Sequence, residues 1–113
     1  MEDDKTLHEL CEALGVTRRA VQGYEKAELV APSDRNKYGY LLYDERAQAR
    51  IAQIKLYQQL GFTIKQIQKL IDAPNPVVKA AIEQQITQLE QEKVRMDVII
   101  GKARELIRVL DAE

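Results

Sequence analysis

Between Pro76 and about Asp111 the only residue that disfavours a helix is Gly101, and apolar side chains recur in unbroken alternating steps of four and three. The positions are Ile82, Ile86, Leu89, Lys93, Met96, Ile100, Ala103, Ile107 and Leu110, a heptad seam with one polar member. A 3.5-residue repeat stays on one side of an α-helix when that helix winds around a partner. At ~1.5 Å per residue the helix is roughly 54 Å long, more than a small head could cover. These nine positions are therefore expected to form a homodimer interface. Ala73 precedes Pro74, which disfavours helix there. Asn75 and Pro76 then read as N-cap and first helical residue. The expected organisation is a head over residues 1–73 and a dimerisation helix over residues 74–113.

Composition narrows the function classes. With 45% hydrophobic and 31% charged residues the chain is not of a disordered type. No apolar run approaches the ~18 residues that span a bilayer. The opening MEDDK is acidic and has no apolar segment of a secretory signal, so a cytoplasmic protein without membrane association is expected. One Cys and one His cannot complete a four-ligand zinc site. No metal and no cofactor is expected. Cys11, spaced with Leu7, Leu10 and Leu14, reads as a small buried hydrophobe, and His8 as a solvated surface residue. There is no nucleophile triad, no carboxylate pair in a plausible cleft and no Gly-rich phosphate loop, so an enzyme is not expected. The net charge of −1 gives no general attraction to nucleic acid; any such role must come from architecture.

The head supplies one. Thr6 and Glu9 form a capping box ahead of Leu7, Leu10, Cys11 and Leu14. Gly15 ends that helix, and Thr17 caps a second one, with Val16 and Val21 placed as a hydrophobic staple. Two short helices around a tight turn make a helix-turn-helix. On the second, Arg18, Arg19, Gln22 and Lys26 share a broad face while Val21 and Tyr24 can turn inward. Such side chains suit phosphates and base edges in a major groove. Leu29-Val30-Ala31 and Tyr40-Leu41-Leu42-Tyr43 flank the turn-rich Pro32–Gly39 and read as the strands of a β-hairpin wing. Its tip offers Arg35, Lys37 and Tyr38. Asp44 caps a third helix running to about Leu60, with Ala47, Ile51, Ile54 and Leu60 inward. After Gly61, Phe62 and Ile67 staple a fourth helix that Thr63 and Gln66 cap, with Ile64, Ile67, Leu70 and Ile71 inside. The fold class is mainly α: a winged helix-turn-helix head with a small hairpin, then a long coiled-coil helix.

This order of parts resembles the mercuric-resistance-regulator (MerR) family of transcription factors. The shared residues run Leu14-Gly15-Val16-Thr17, Tyr24-Glu25-Lys26, Leu29 with Pro32, Gly39-Tyr40, Tyr43, Leu60-Gly61-Phe62-Thr63 and Ile67. The resemblance implies an antiparallel coiled-coil dimer that binds an inverted repeat in double-stranded promoter DNA, with RNA polymerase as a further partner there. The expected DNA contacts are Thr17, Arg18, Arg19, Gln22, Tyr24, Lys26, Arg35, Lys37, Tyr38, Tyr40, Thr63 and Lys65, with Tyr24, Lys26 and the wing on the backbone. Four positions depart from the family pattern. Gln22 and Gly23 replace an Arg and an aromatic, Glu28 replaces a small residue, and Leu41 replaces the wing Arg. No cysteines stand at the end of the long helix, where family metal sensors place them. The departures and the acidic pI favour an alternative, a winged-helix protein-interaction adaptor of the chaperone-modulator kind.

Overall fold

Side-chain caps fix where four of the helices begin. In the computed structural model, which describes residues 3–113, the order is β1 (Lys5–Thr6), α1 (Leu7–Leu14), α2 (Arg18–Lys26), β2 (Asp34–Arg35), β3 (Leu41–Tyr43), α3 (Glu45–Gln59), α4 (Ile64–Leu70) and α5 (Asn75–Asp111). Met1 and Glu2, the start of MEDDK and of the head as bounded from sequence, lie outside the described residues. The hydroxyls of Thr6, Thr17 and Thr63 and the carboxylate of Asp44 each accept from a backbone N–H three residues on, at 2.8–3.3 Å. Glu9 and Gln66 accept in return from Thr6 N–H and Thr63 N–H, completing both expected capping boxes. Each cap satisfies a donor that a helix start would leave orphaned.

The first three helices end alike. Val16 N–H donates to Cys11 O, Leu29 N–H to Tyr24 O and Phe62 N–H to Tyr57 O, the long bond of a Schellman turn. The residue before the donor is left-handed in each case: Gly15 at φ 64°, Glu28 at φ 61° and Gly61 at φ 103°. Across the third turn the Tyr57 and Phe62 rings meet edge-on at 6.0 Å.

Leu29 is thus the end of a helix stop, not the start of a strand. The wing's first strand is Asp34–Arg35, inside the stretch expected to be turn, paired antiparallel with β3 in the register Asp34↔Leu42 and Arg35↔Leu41. Two charged, exposed residues on a sheet edge carry no apolar alternation, so the pattern that marks longer strands is missing. The β1 strand escaped for the same reason. It pairs on the other side of β3, Lys5↔Tyr43 and Thr6↔Leu42, giving the sheet order β1-β3-β2.

Leu10, Val21, Tyr43, Ile51, Ile54 and Ile67 are the fully buried centre of the head, joined by Tyr24, Leu29, Ala47, Tyr57, Phe62, Leu70 and Ile71. Cys11, Ile64 and Leu60, expected inside, are only half-buried. Leu60 is the C-cap of α3 rather than part of its inner face. Helix α5 begins one residue earlier than the sequence suggested: Pro74 holds the cap position and its carbonyl accepts from Val78 N–H, while no side chain caps the helix. Internal contacts divide the chain at this point, into residues up to Ala73 and Pro74–Glu113. No residue of α5 is buried. No helix among the described residues is long and apolar enough to cross a membrane.

Candidate nucleic-acid interface

The docking of α2 is set by its two apolar side chains. Val21 is completely buried and Tyr24 is 3% exposed, its hydroxyl donating to Gln58 Oε1 on α3 at 2.6 Å. Burial holds the Tyr24 phenol proton on, pushing its pKa up. Tyr24, expected on a DNA backbone, is packed in the core with its hydroxyl on Gln58. With those side chains inward, the 100° step of the helix turns Arg18, Arg19, Gln22 and Lys26 outward, and all four are exposed. Thr17 is exposed too, with its hydroxyl engaged on Ala20 N–H at 3.0 Å. Beside Gln22 lies open space: a Cβ added at Gly23 would meet nothing within 4 Å.

Long-range side-chain bonds from α3 and α4 tie down the ends of α1 and α2. Lys55 Nζ on α3 donates to Leu14 O at the end of α1 at 2.7 Å. Arg50 Nε donates to Leu29 O at 2.9 Å, and its two terminal nitrogens hold Asp72 in a bidentate pair at 2.7 and 2.9 Å. That pair keeps the Asp72 carboxyl below the usual carboxylate range. Gln68 on α4 donates to Ala27 O at 2.9 Å. None of these partners is near in sequence. Under the wing, Tyr43 is fully buried and its hydroxyl donates to Glu25 Oε1 at 2.5 Å. Burial and then the Glu25 bond push the phenol's pKa far up.

The wing tip is built by Asn36. Its Oδ1 accepts from Tyr38 N–H and Tyr40 N–H at 2.9 and 3.0 Å, and its N–H donates to Tyr40 O. Arg35 Nη1 donates to Gly39 O at 2.7 Å, laying the guanidinium along the turn. Lys37 Nζ stands 5.1 Å from the centre of the Tyr38 ring, a cation–π contact. Tyr38 and Tyr40 are 73% and 65% exposed. The structure thus gathers Arg35, Lys37, Tyr38 and Tyr40 on one turn and places Arg18 beside Tyr40 on a shared cleft. Thr63 and Lys65 are exposed on the first turn of α4. Leu41, where a wing Arg was the familiar residue, is half-buried in β3. The described residues hold no group of three metal-ligating side chains.

Residues 5–74 match the family described as MerR HTH family regulatory protein, and residues 48–106 match the one described as MerR, DNA binding. The HTH-type transcriptional activator mta of Bacillus subtilis is 35% identical over 92 residues, 81% of this chain and 36% of that protein. The crystal structure of MtaN, the N-terminus of the Bacillus subtilis multidrug transporter activator, superposes with a TM-score of 0.72 at 31% identity, covering 91% of this chain and 97% of that one. A MerR-family transcriptional regulator from Bacillus cereus gives 0.77 at 28% identity, over 90% and 78%. This chain spans less than half the length of such curated relatives.

Proposed function

Because the chain belongs to the MerR family of helix-turn-helix regulatory proteins, we propose that it acts as a sequence-specific transcription regulator, binding an inverted repeat in double-stranded promoter DNA as a homodimer. The observation that carries this reading is the outward face of α2, where Arg18, Arg19, Gln22 and Lys26 stand exposed on a helix whose opposite side is locked into the core. In a major groove Arg18, Arg19 and Gln22 face the bases. Lys26, the wing residues Arg35, Lys37, Tyr38 and Tyr40, and Thr63 with Lys65 on α4 reach the phosphates. The α5 seam pairs two copies as an antiparallel coiled coil, and a two-fold dimer demands a two-fold site. Transcription then changes through RNA polymerase at the same promoter, in the cytoplasm. Binding does all of this without a catalytic group or cofactor.

The experiment is binding of the purified dimer to its own promoter region at ~50 mM salt, where even a weak specific protein is retained. Preference for that region over random duplex is the expected result; no preference sinks the reading. The adaptor alternative gains from one feature, the cationic contacts absent at Gln22 and Leu41, and it predicts no retention on heparin at low salt.

A further inference from the structure

One side chain on α3 gathers the ends of the two helices that carry candidate DNA contacts. Leu29, which closes the stop of α2, is held from both sides. Its N–H donates to Tyr24 O within α2, and its carbonyl accepts from Arg50 Nε at 2.9 Å. The terminal nitrogens of the same guanidinium take the Asp72 carboxylate by two bonds, at 2.7 and 2.9 Å. Asp72 directly follows Ile71, the C-cap of α4. Gln68, in the last turn of α4, reaches back to Ala27 O at 2.9 Å. These bonds close a ring from the end of α2, through α3, to the end of α4 and back. A guanidinium is planar with donors at fixed angles, so it holds the carbonyl and the carboxylate at a set separation; a lysine ammonium lacks that fork. At the other end of α4, roughly 10 Å away at 1.5 Å per residue, Thr63 and Lys65 stand exposed.

We propose that Arg50 and Asp72 are positioning residues for DNA recognition, fixing the distance between the groove-facing side of α2 and the phosphate contacts at the start of α4. The proposal rests on the DNA-binding reading above. Both residues act through others: Arg50 through the Leu29 carbonyl, and Asp72 by fastening α4 to Arg50. Stability does not account for the pair. Asp72 is 77% exposed, and an ion pair so open to water adds little to a fold. A carboxylate on a DNA-binding head also repels phosphates, which is a cost to binding. What the pair supplies is geometry. Phosphate contacts fix the register of a reading helix only when they are held at a constant separation from it.

Charge and position give Asp72→Ala opposite signs. Removal of a negative charge alone tightens binding to every duplex. Release of α4 from Arg50 weakens binding to the specific site. Fluorescence anisotropy of the full chain at ~50 mM salt compares a labelled duplex of its own promoter region with a random duplex. Asp72→Ala is expected to bind the promoter duplex about tenfold more weakly, and the random duplex no more weakly than wild type does. Arg50→Lys, which keeps the charge and loses the fork, gives the same promoter-specific loss. Because the loss runs through the α4 contacts, Asp72→Ala costs less than about twofold in a Lys65→Ala background. Wild-type or tighter binding to the promoter duplex by Asp72→Ala or Arg50→Lys overturns the proposal. So does an equal loss with and without Lys65, the mark of a general folding defect. Either result leaves the DNA-binding reading standing. Wild type that shows no preference for the promoter duplex overturns that reading, and the proposal with it.

Discussion

At the residue scale the most telling position is Glu28, because the same helix stop is built twice elsewhere with glycine. Gly15 and Gly61 take the left-handed backbone without a Cβ, whereas Glu28 takes it at φ 61° with one. For an L-residue that conformation costs roughly 1–2 kcal/mol, and glycine's extra unfolded-state entropy returns roughly 0.5–1 of it. Glu28→Gly is therefore expected to stabilise the head by about 0.5–1 kcal/mol, raising the melting temperature by a few degrees. A fall would show that the Glu28 side chain holds something. Tyr43 sets a second expectation. Its phenol is raised by burial and by Glu25, and a group raised in the folded state contributes stability below its unfolded value that is lost as pH climbs past it. The melting temperature should stay level to about pH 10, the ordinary phenol value, and drop above it. Tyr43→Phe should melt lower at pH 8 but show a smaller alkaline drop. Capping boxes were legible in the sequence because both partners lie within four residues. The Tyr43–Glu25 and Arg50–Asp72 bonds, 18 and 22 residues apart, had no local signal to betray them.

At the scale of elements, the helices read well, and of the strands only β3, inside the run Tyr40–Tyr43, did. Thr63, Gln66, Phe62 and Ile67 announce α4 because the 3.6 period and the caps agree. The wing misled because the apolar run at Leu29 serves a helix stop, while the true strand is the polar pair Asp34–Arg35. Exposed cations on α2 stand out in the sequence as candidate contacts, but the burial of Tyr24 does not: a tyrosine facing Gln58 and one facing a phosphate look alike in sequence. Mutants separate these roles. Arg35→Ala and Lys37→Ala should weaken binding to every duplex alike and each flatten the log-log salt slope by about one. Gln22→Ala should leave the salt slope unchanged and relax preference at one base pair of each half-site, a contact worth roughly 1–3 kcal/mol of discrimination. Tyr24→Phe tests its new assignment. It should lower stability by about 1 kcal/mol, one hydrogen bond, and leave the salt slope of binding untouched. A flattened slope there would return Tyr24 to the phosphate backbone.

At the scale of the whole molecule, the question is what covers α5. Over 37 residues it buries nothing, and Ile86, Leu89, Met96, Ile100, Ile107 and Leu110 all stand exposed along one seam. In the dimer proposed above this stripe, broken only by Lys93, is the interface, and each Ile or Leu buried in it would contribute roughly 1.5–3 kcal/mol. In an antiparallel pair, a-positions generally meet d-positions across the two-fold axis. One register sets Lys93 opposite Ala103, the smallest seam residue, where the lysine stem can lie flat and its ammonium reach water. The same register pairs Met96 with Ile100, Leu89 with Ile107 and Ile86 with Leu110, and its two-fold axis passes at the level of Val98. Lys93 would then hold the alignment at some cost in stability, as lone polar seam residues do. Lys93→Leu should accordingly raise the dimer's resistance to urea while allowing slipped registers. The register itself is read by cysteine trapping, with Cys11→Ser removing the native thiol. Lys93→Cys with Ala103→Cys should oxidise to a covalent dimer in high yield, because 93 of one protomer faces 103 of its partner twice in each dimer. Lys93→Cys alone should not, since its two thiols sit far apart at opposite ends of the central segment. Efficient trapping by the single variant would mean a parallel coil.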